Sequence, residues 1–125
     1  MRLTPKIFMK QGEIWLIGLD PSVGAEMKKT RPALIINSDT LGRLPLKIIA
    51  PITDWKEHFV NYPWIVKIVP SGQNGLIKES AVDCFQIRSV SVERLTVPIG
   101  SVKPEIIAQV QEAVNRPNFE FSVKQ

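Results

Sequence analysis

The feature that most restricts this chain's fold is a succession of short apolar, β-branched runs, each closed by turn-forming residues, with no helical segment between them until near the C-terminus. Gly12-Glu13-Ile14-Trp15-Leu16-Ile17-Gly18-Leu19 is rich in β-formers and is ended by Asp20-Pro21, so it reads as a strand. Pro21 to Thr30 contains Gly24 and Lys28-Lys29 and follows neither the helical nor the strand period, which predicts a long polar loop. Pro32-Ala33-Leu34-Ile35-Ile36-Asn37 is almost wholly apolar, as a strand buried on both faces requires. Leu46 to Thr53 reads similarly, but Pro51 cannot donate to a ladder, so this strand should lie at an edge or carry a bulge there. Tyr62 to Val69 alternates and leads to a Gly72–Gly75 turn, and Ser80 to Val90 and Leu95 to Ile99 complete the strands. Close spacing without intervening helices predicts a mainly β, small antiparallel barrel.

Only Pro104 to Val114 has helical spacing. It places Ile106, Ile107, Val110 and Val114 on one face and Pro and Glu in the first turn, so a helix should cap the barrel. A chain of 125 residues without internal repeat or Gly/Ser linker reads as a single domain over 1–125, with 1–10 and 117–125 as loosely held ends.

Composition narrows the chemistry. One cysteine, Cys84, excludes an internal disulfide, and with one histidine, His58, the chain lacks the His/Cys sets of structural zinc or haem attachment. No metal site and no cofactor are therefore expected. Sixteen Lys and Arg against twelve Asp and Glu leave a net charge of +4, a weak pull toward polyanions that many proteins share. The apolar runs are far shorter than the ~20 residues that span a bilayer, and the N-terminus lacks the apolar core of a secretory signal. No membrane association is expected, and cytoplasmic residence is the default expectation.

Chemistry must then come from Arg, Lys, Ser, Thr, Asp, Glu, Tyr and the single His. Arg31 stands where the polar loop enters a buried strand, beside a Pro that fixes the backbone; a cleft-mouth guanidinium and an ordinary surface Arg both fit. Thr53 closes the third strand, where a hydroxyl is usually a turn former. The loop that follows interleaves Trp55, Phe59 and Tyr62 with Lys56 and His58, which suits either base stacking with phosphate pairing or a hydrophobic flap packed on the barrel.

Gly12-Glu13-Ile14-Trp15, Asp20-Pro21-x-x-Gly24-x-Glu26 and Arg31-Pro32-Ala33-Leu34-Ile35-Ile36 together resemble the opening of MazF/PemK toxins. A second block, Gly75-Leu76-x-x-Glu79-Ser80-x-Val82-x-x-x-Gln86-Ile87-Arg88-Ser89-Val90-x-x-x-Arg94-Leu95, is similar to the family's later half. The resemblance implies an SH3-like barrel of the CcdB/MazF type with a C-terminal helix, assembled as a two-fold homodimer. It also implies toxin activity by endonucleolytic cleavage of single-stranded RNA, held in check by a cognate acidic antitoxin that folds across a cationic groove.

The family's essential Arg and Ser/Thr fall on Arg31 and Thr53. The implied reaction is attack of the ribose 2′-OH on the adjacent phosphorus, giving a 2′,3′-cyclic phosphate and a free 5′-OH without need of a metal. Arg31 would neutralise the phosphate oxygens, Thr53 would add a hydroxyl donor, and Glu26 would accept the 2′-OH proton unless it is simply a solvated loop carboxylate. RNA contacts are expected from Lys28, Lys29, Trp55, Lys56 and His58, and from Gln86 and Arg88, placed on the strand of the Gln-Ile-Arg match, for which structural hydrogen bonding is the competing role. Pro51 and the Trp55–Phe59 loop depart from the family pattern and leave the cleavage motif open. The rival is a toxin of the same fold that grips DNA gyrase. Arg31 and Thr53 argue against it, as does a Val114-Asn115-Arg116 end without a bulky aromatic anchor. A weaker rival is a barrel that binds RNA without cutting it.

Overall fold

The computed structural model describes residues 9–19, 29–41 and 44–116. Its elements are β1 (Glu13–Leu19), β2 (Lys29–Ile35), β3 (Leu46–Asp54), β4 (Ile65–Ile68), β5 (Ser80–Asp83), β6 (Arg88–Ser91), β7 (Leu95–Ser101) and α1 (Pro104–Val114). The strands form one antiparallel sheet in the order β4-β5-β3-β2-β1-β7, with β6 also against β3. A mainly β architecture with a C-terminal helix is what the strand spacing predicted.

β3 organises the sheet. One side pairs with β2, Ala33 opposite Pro51 and Ile35 opposite Ile49. The other side pairs first with β6, from Leu46–Ser91 to Ile49–Arg88, and then with β5, from Ile52–Val82 to Asp54–Ser80. The ladder breaks between these two stretches at Ala50–Pro51, where a 3-10 turn, Cys84–Gln86, is inserted between β5 and β6. Pro51 supplies the reason. Ile36 N donates to Ile48 O at 2.9 Å, and alternation along an antiparallel pair then turns the Pro51 nitrogen away from β2, toward the break. A position with no N–H thus sits in a central strand where no ladder bond is asked of it; β3 is neither the edge strand nor the bulged one that Pro51 suggested, and the irregularity is the turn inserted on the partner side.

Alternation also divides the core. Ile14, Leu34, Ala50 and Ile52 point to one face, together with Val66, Ile68, Val82 and Cys84, and α1 covers them with Val110 and Ala113. Ile106, Ile107 and Val114 pack on the same cluster from the margin. Trp15, Ile17, Ala33, Ile35 and Ile49 point to the other face, covered by Met9, Val90, Val92 and Leu95. The unbroken apolar run of β2 follows from having a core on each side.

Two expected strands are shorter than their sequence pattern. Tyr62 to Val69 contributes only Ile65–Ile68, because a 3-10 turn at Glu57–Asn61 and Pro63 delay the extended backbone. Ser80 to Val90 is two strands, divided by the Cys84–Gln86 turn.

Candidate functional site

The β2–β3 ladder ends at Ala33 opposite Pro51, and beyond it Arg31 on β2 and Thr53 on β3 stand at the mouth of the same concavities. Arg31 is also the partner of Ile17 on β1, and Arg88 is the partner of Ile49 on β3. Cross-strand partners share a face, so Arg31, Thr53 and Arg88 all stand on the face of the second core cluster, at the open end of its apolar layer. Side chains 57 positions apart in sequence, Arg31 and Arg88, meet there because β3 is hydrogen-bonded to both of their strands.

Two clefts open at this end. One, of about 460 Å³, has Ile17, Ile49, Pro51 and Phe59 as its apolar lining and Arg31, Thr53, Asp83, Gln86 and Arg88 as its polar groups. The other, of about 480 Å³, is lined by Thr30, Arg31, Pro32, Ile52, Thr53, Asp54 and Ser80. Arg31 and Thr53 belong to both, so they form the divide between the two concavities. A chain lying across the divide would present the same segment to both side chains.

The charges are set for an anion. Arg31 and Arg88 are exposed, and among the described residues neither makes an ion pair. Nearby carboxylates are already engaged: Asp54 with Lys78 at 3.3 Å and Glu79 with Lys67 at 3.5 Å. Asp83, the carboxylate inside the first cleft, accepts from Phe85 N at 3.0 Å and from Gln86 Nε2 at 2.7 Å. Behind it, the Cys84 thiol is fully buried; burial, and then the Asp83 carboxylate, push its pKa up to about 12, so it is a neutral core group.

The aromatic loop packs on itself. Trp55 meets Phe59 edge-on at 5.6 Å and lies under Lys67 Nζ at 4.8 Å, while His58 meets Phe59 and Tyr62 edge-on at 4.9 and 5.6 Å. Tyr62 stacks on Trp64 at 4.9 Å, and Trp64 reaches Phe85 at 5.3 Å. Trp55, Lys56 and His58, expected to contact RNA, line neither cleft; the loop's contribution to the cleft wall is Phe59.

Gln86, expected on a strand, lies instead in the Cys84–Gln86 turn, and Arg88 opens β6. The ladder break at Pro51 is the cause, since it lifts Gln86 out of strand geometry and into the cleft. Glu26 and Lys28 lie outside the described residues, and Lys29 opens β2. Phe59 and Asp83 of the first cleft escaped the sequence reading as site candidates, as did Thr30, Asp54 and Ser80 of the second. Phe59 was visible only as one of several loop rings, and Asp83 carried no signal, because its place in the cleft comes from the inserted turn.

The model of the family described as PemK-like, MazF-like toxin of type II toxin–antitoxin system matches residues 10–116. Endoribonuclease MazF9 of Mycobacterium tuberculosis is 34% identical over 110 residues, which span 85% of this chain and 92% of that protein. Endoribonuclease EndoA of Bacillus subtilis is 31% identical over 109 residues, 86% of this chain and 92% of that one. The crystal structure of MazE–MazF from Deinococcus radiodurans superposes with a TM-score of 0.67 at 22% identity, over 83% of this chain and 89% of that one, which is a likeness of fold. The chain therefore belongs to the PemK-like, MazF-like toxins of type II toxin–antitoxin systems.

Proposed function

We propose that this toxin is an endoribonuclease that cuts single-stranded RNA at the divide between the two clefts. The observation that carries the reading is that Arg31 and Thr53 line both concavities, with Arg31 free of carboxylate partners among the described residues. The reaction forms a bond from the ribose O2′ to phosphorus and breaks the bond from phosphorus to O5′. The 2′ proton passes to a base, for which Glu26 is the proposed acceptor, and the departing 5′ oxygen takes a proton from solvent water. The Arg31 guanidinium faces the non-bridging oxygens, where charge builds as the fifth bond forms, and the Thr53 hydroxyl donates to the same group. Arg88 extends the cationic track along the strand. Among the described residues no group of three His, Cys, Asp or Glu is placed to hold a metal ion.

The same reading includes a homodimer and an acidic antitoxin chain lying over the cationic clefts. Relatives named endoribonucleases over most of their length leave the gyrase-gripping alternative unsupported.

The decisive assay is incubation with a long single-stranded RNA in EDTA, with the new ends mapped. Discrete cuts with cyclic-phosphate and 5′-OH ends are expected in the parent. Loss of about 10²–10³-fold is expected in Arg31→Ala, the scale of removing one preorganised charge donor. Uncut RNA together with a stable gyrase complex would establish the rival.

A further inference from the structure

Asp83 and Gln86 share the first cleft with Arg31 and Thr53 but suit a different task, because one is an anion and the other is neutral. An isolated glutamine amide discriminates poorly between bases. It offers an acceptor and a donor side by side, and a half-turn about its last bond exchanges them. Here one of the two orientations is favoured. Asp83 Oδ2 lies 2.7 Å from Gln86 Nε2, and Asp83 Oδ1 is held by Phe85 N at 3.0 Å. An ionised carboxylate can only accept, so the end of the amide that faces it must be the nitrogen. The carbonyl Oε1 is thereby turned away from Asp83, and no donor among the described residues engages it.

The cleft around this pair has the form of a base pocket. Its volume of about 460 Å³ falls within the range of about 300–1,000 Å³ common for small-ligand sites. Ile17, Ile49 and Pro51 give it an apolar lining, Phe59 supplies a ring, and Arg31, Thr53 and Arg88 line the same cleft. With a phosphate held at Arg31 and Thr53, the edge of a neighbouring base would meet the Gln86 acceptor.

We propose that this cleft seats an unpaired base flanking the cut, and that the Asp83–Gln86 pair selects adenine or cytosine over guanine or uracil. The inference rests on the ribonuclease reading. Adenine N6 and cytosine N4 carry amino groups that donate to Gln86 Oε1, and the ring nitrogen beside each can accept from the second Nε2 hydrogen. With the entry of the base set by its own ribose–phosphate at Arg31 and Thr53, guanine and uracil put a carbonyl oxygen at that position. It would face Oε1 with no proton between them, and turning the amide to meet it would break the bond from Nε2 to Asp83. Gln86 reads the base, and Asp83 is the positioning residue that sets which end of the amide does so.

The test maps the cut sites of the parent, Asp83→Asn and Gln86→Leu on a long RNA of mixed sequence and compares base frequencies at each position flanking the cut. One flanking position in the parent should favour adenine and cytosine about tenfold, the scale of one base-edge contact. In Asp83→Asn the new side chain can still accept from Phe85 N, but its Nδ2 now faces Gln86 and draws Oε1 toward it, which turns the Gln86 nitrogen into the cleft. The preference at that position should reverse toward guanine and uracil. Gln86→Leu, a change at an exposed side chain, keeps the question answerable if Asp83→Asn does not fold, and it should level the preference at that position alone. A parent without amino-base preference at any flanking position, or a preference that Gln86→Leu leaves intact, would overturn the inference while the ribonuclease stands. A parent that cuts no RNA would overturn both.

Discussion

Thr53 is half-buried at the end of β3, a place where a β-branched residue is comfortable whatever its polarity. Thr53→Val should therefore leave the strand intact and remove only the hydroxyl. Single-turnover cleavage of a short RNA is expected to fall by about 10²-fold in Thr53→Val, and Thr53→Ser should recover most of the loss. An equal deficit in both variants would show that the hydroxyl is not what matters. Cys84 supports a different expectation. Its pKa is raised to about 12 by burial and by Asp83, so the folded state favours the neutral thiol. A raised folded pKa contributes stability that is complete below the unfolded value, 9.0, and is lost as pH climbs from there toward 12. The urea midpoint should fall across that window, and the fall should be smaller in Cys84→Ala. At neutral pH the thiol should stay unmodified by alkylating reagents until the protein unfolds.

At the scale of elements, the turn before β5 does more than reverse the chain. Asn74, 4% exposed, accepts from Ser71 N and Leu76 N at 3.0 and 2.9 Å and donates to Val69 O at 2.9 Å, and Ser101 N donates to Gln73 O at 3.0 Å. The turn is thus fastened to the end of β7. Gly75 makes the approach feasible: its φ is +72°, and a methyl there would run into the Ile99 carbonyl. Gly75→Ala should cost at least about 2 kcal/mol, combining left-handed backbone strain with the collision, read as a lower urea midpoint with unchanged slope. A change below about 0.5 kcal/mol would mean the turn can detach from β7 at little cost. The break at Pro51 is the other device at this scale. By interrupting the β3 ladder it creates the Cys84–Gln86 turn, and that turn carries Gln86 to the cleft and Asp83 to its side.

For the molecule as a whole, the net charge of +4 matters less than where the cations with no ion pair among the described residues stand. Arg31 and Arg88 share one face, while Lys67, Lys78 and Arg116 are already matched with Glu79, Asp54 and Glu112. RNA affinity should decline linearly in log–log form as salt rises. Arg88→Ala should lower the slope by about one, whereas Lys78→Ala, on a residue already paired, should change it little. Equal slopes for both variants would indicate a diffuse charge effect instead of a track through the clefts.

What the sequence determined by itself is what local chemistry dictates. The apolar runs bounded by Gly, Pro and Asp set the strands, the Pro104 start and the spacing of Val110 and Val114 set α1, and the Arg31-Pro32 and Gln86-Ile87-Arg88 matches pointed to the family. Pro51 announced an irregularity because a missing N–H is legible in one letter. The tertiary structure alone decided what depends on register. It put Arg31 and Thr53 at the same two clefts, brought Arg88 to the same face through Ile49, and split Ser80 to Val90 into two strands around a turn. It also placed Asp83 and Phe59 in the cleft and kept Trp55, Lys56 and His58 out of it. Strand register is fixed by hydrogen bonds and packing between segments distant in the chain, and a shift of one residue would move every one of these side chains to the opposite face.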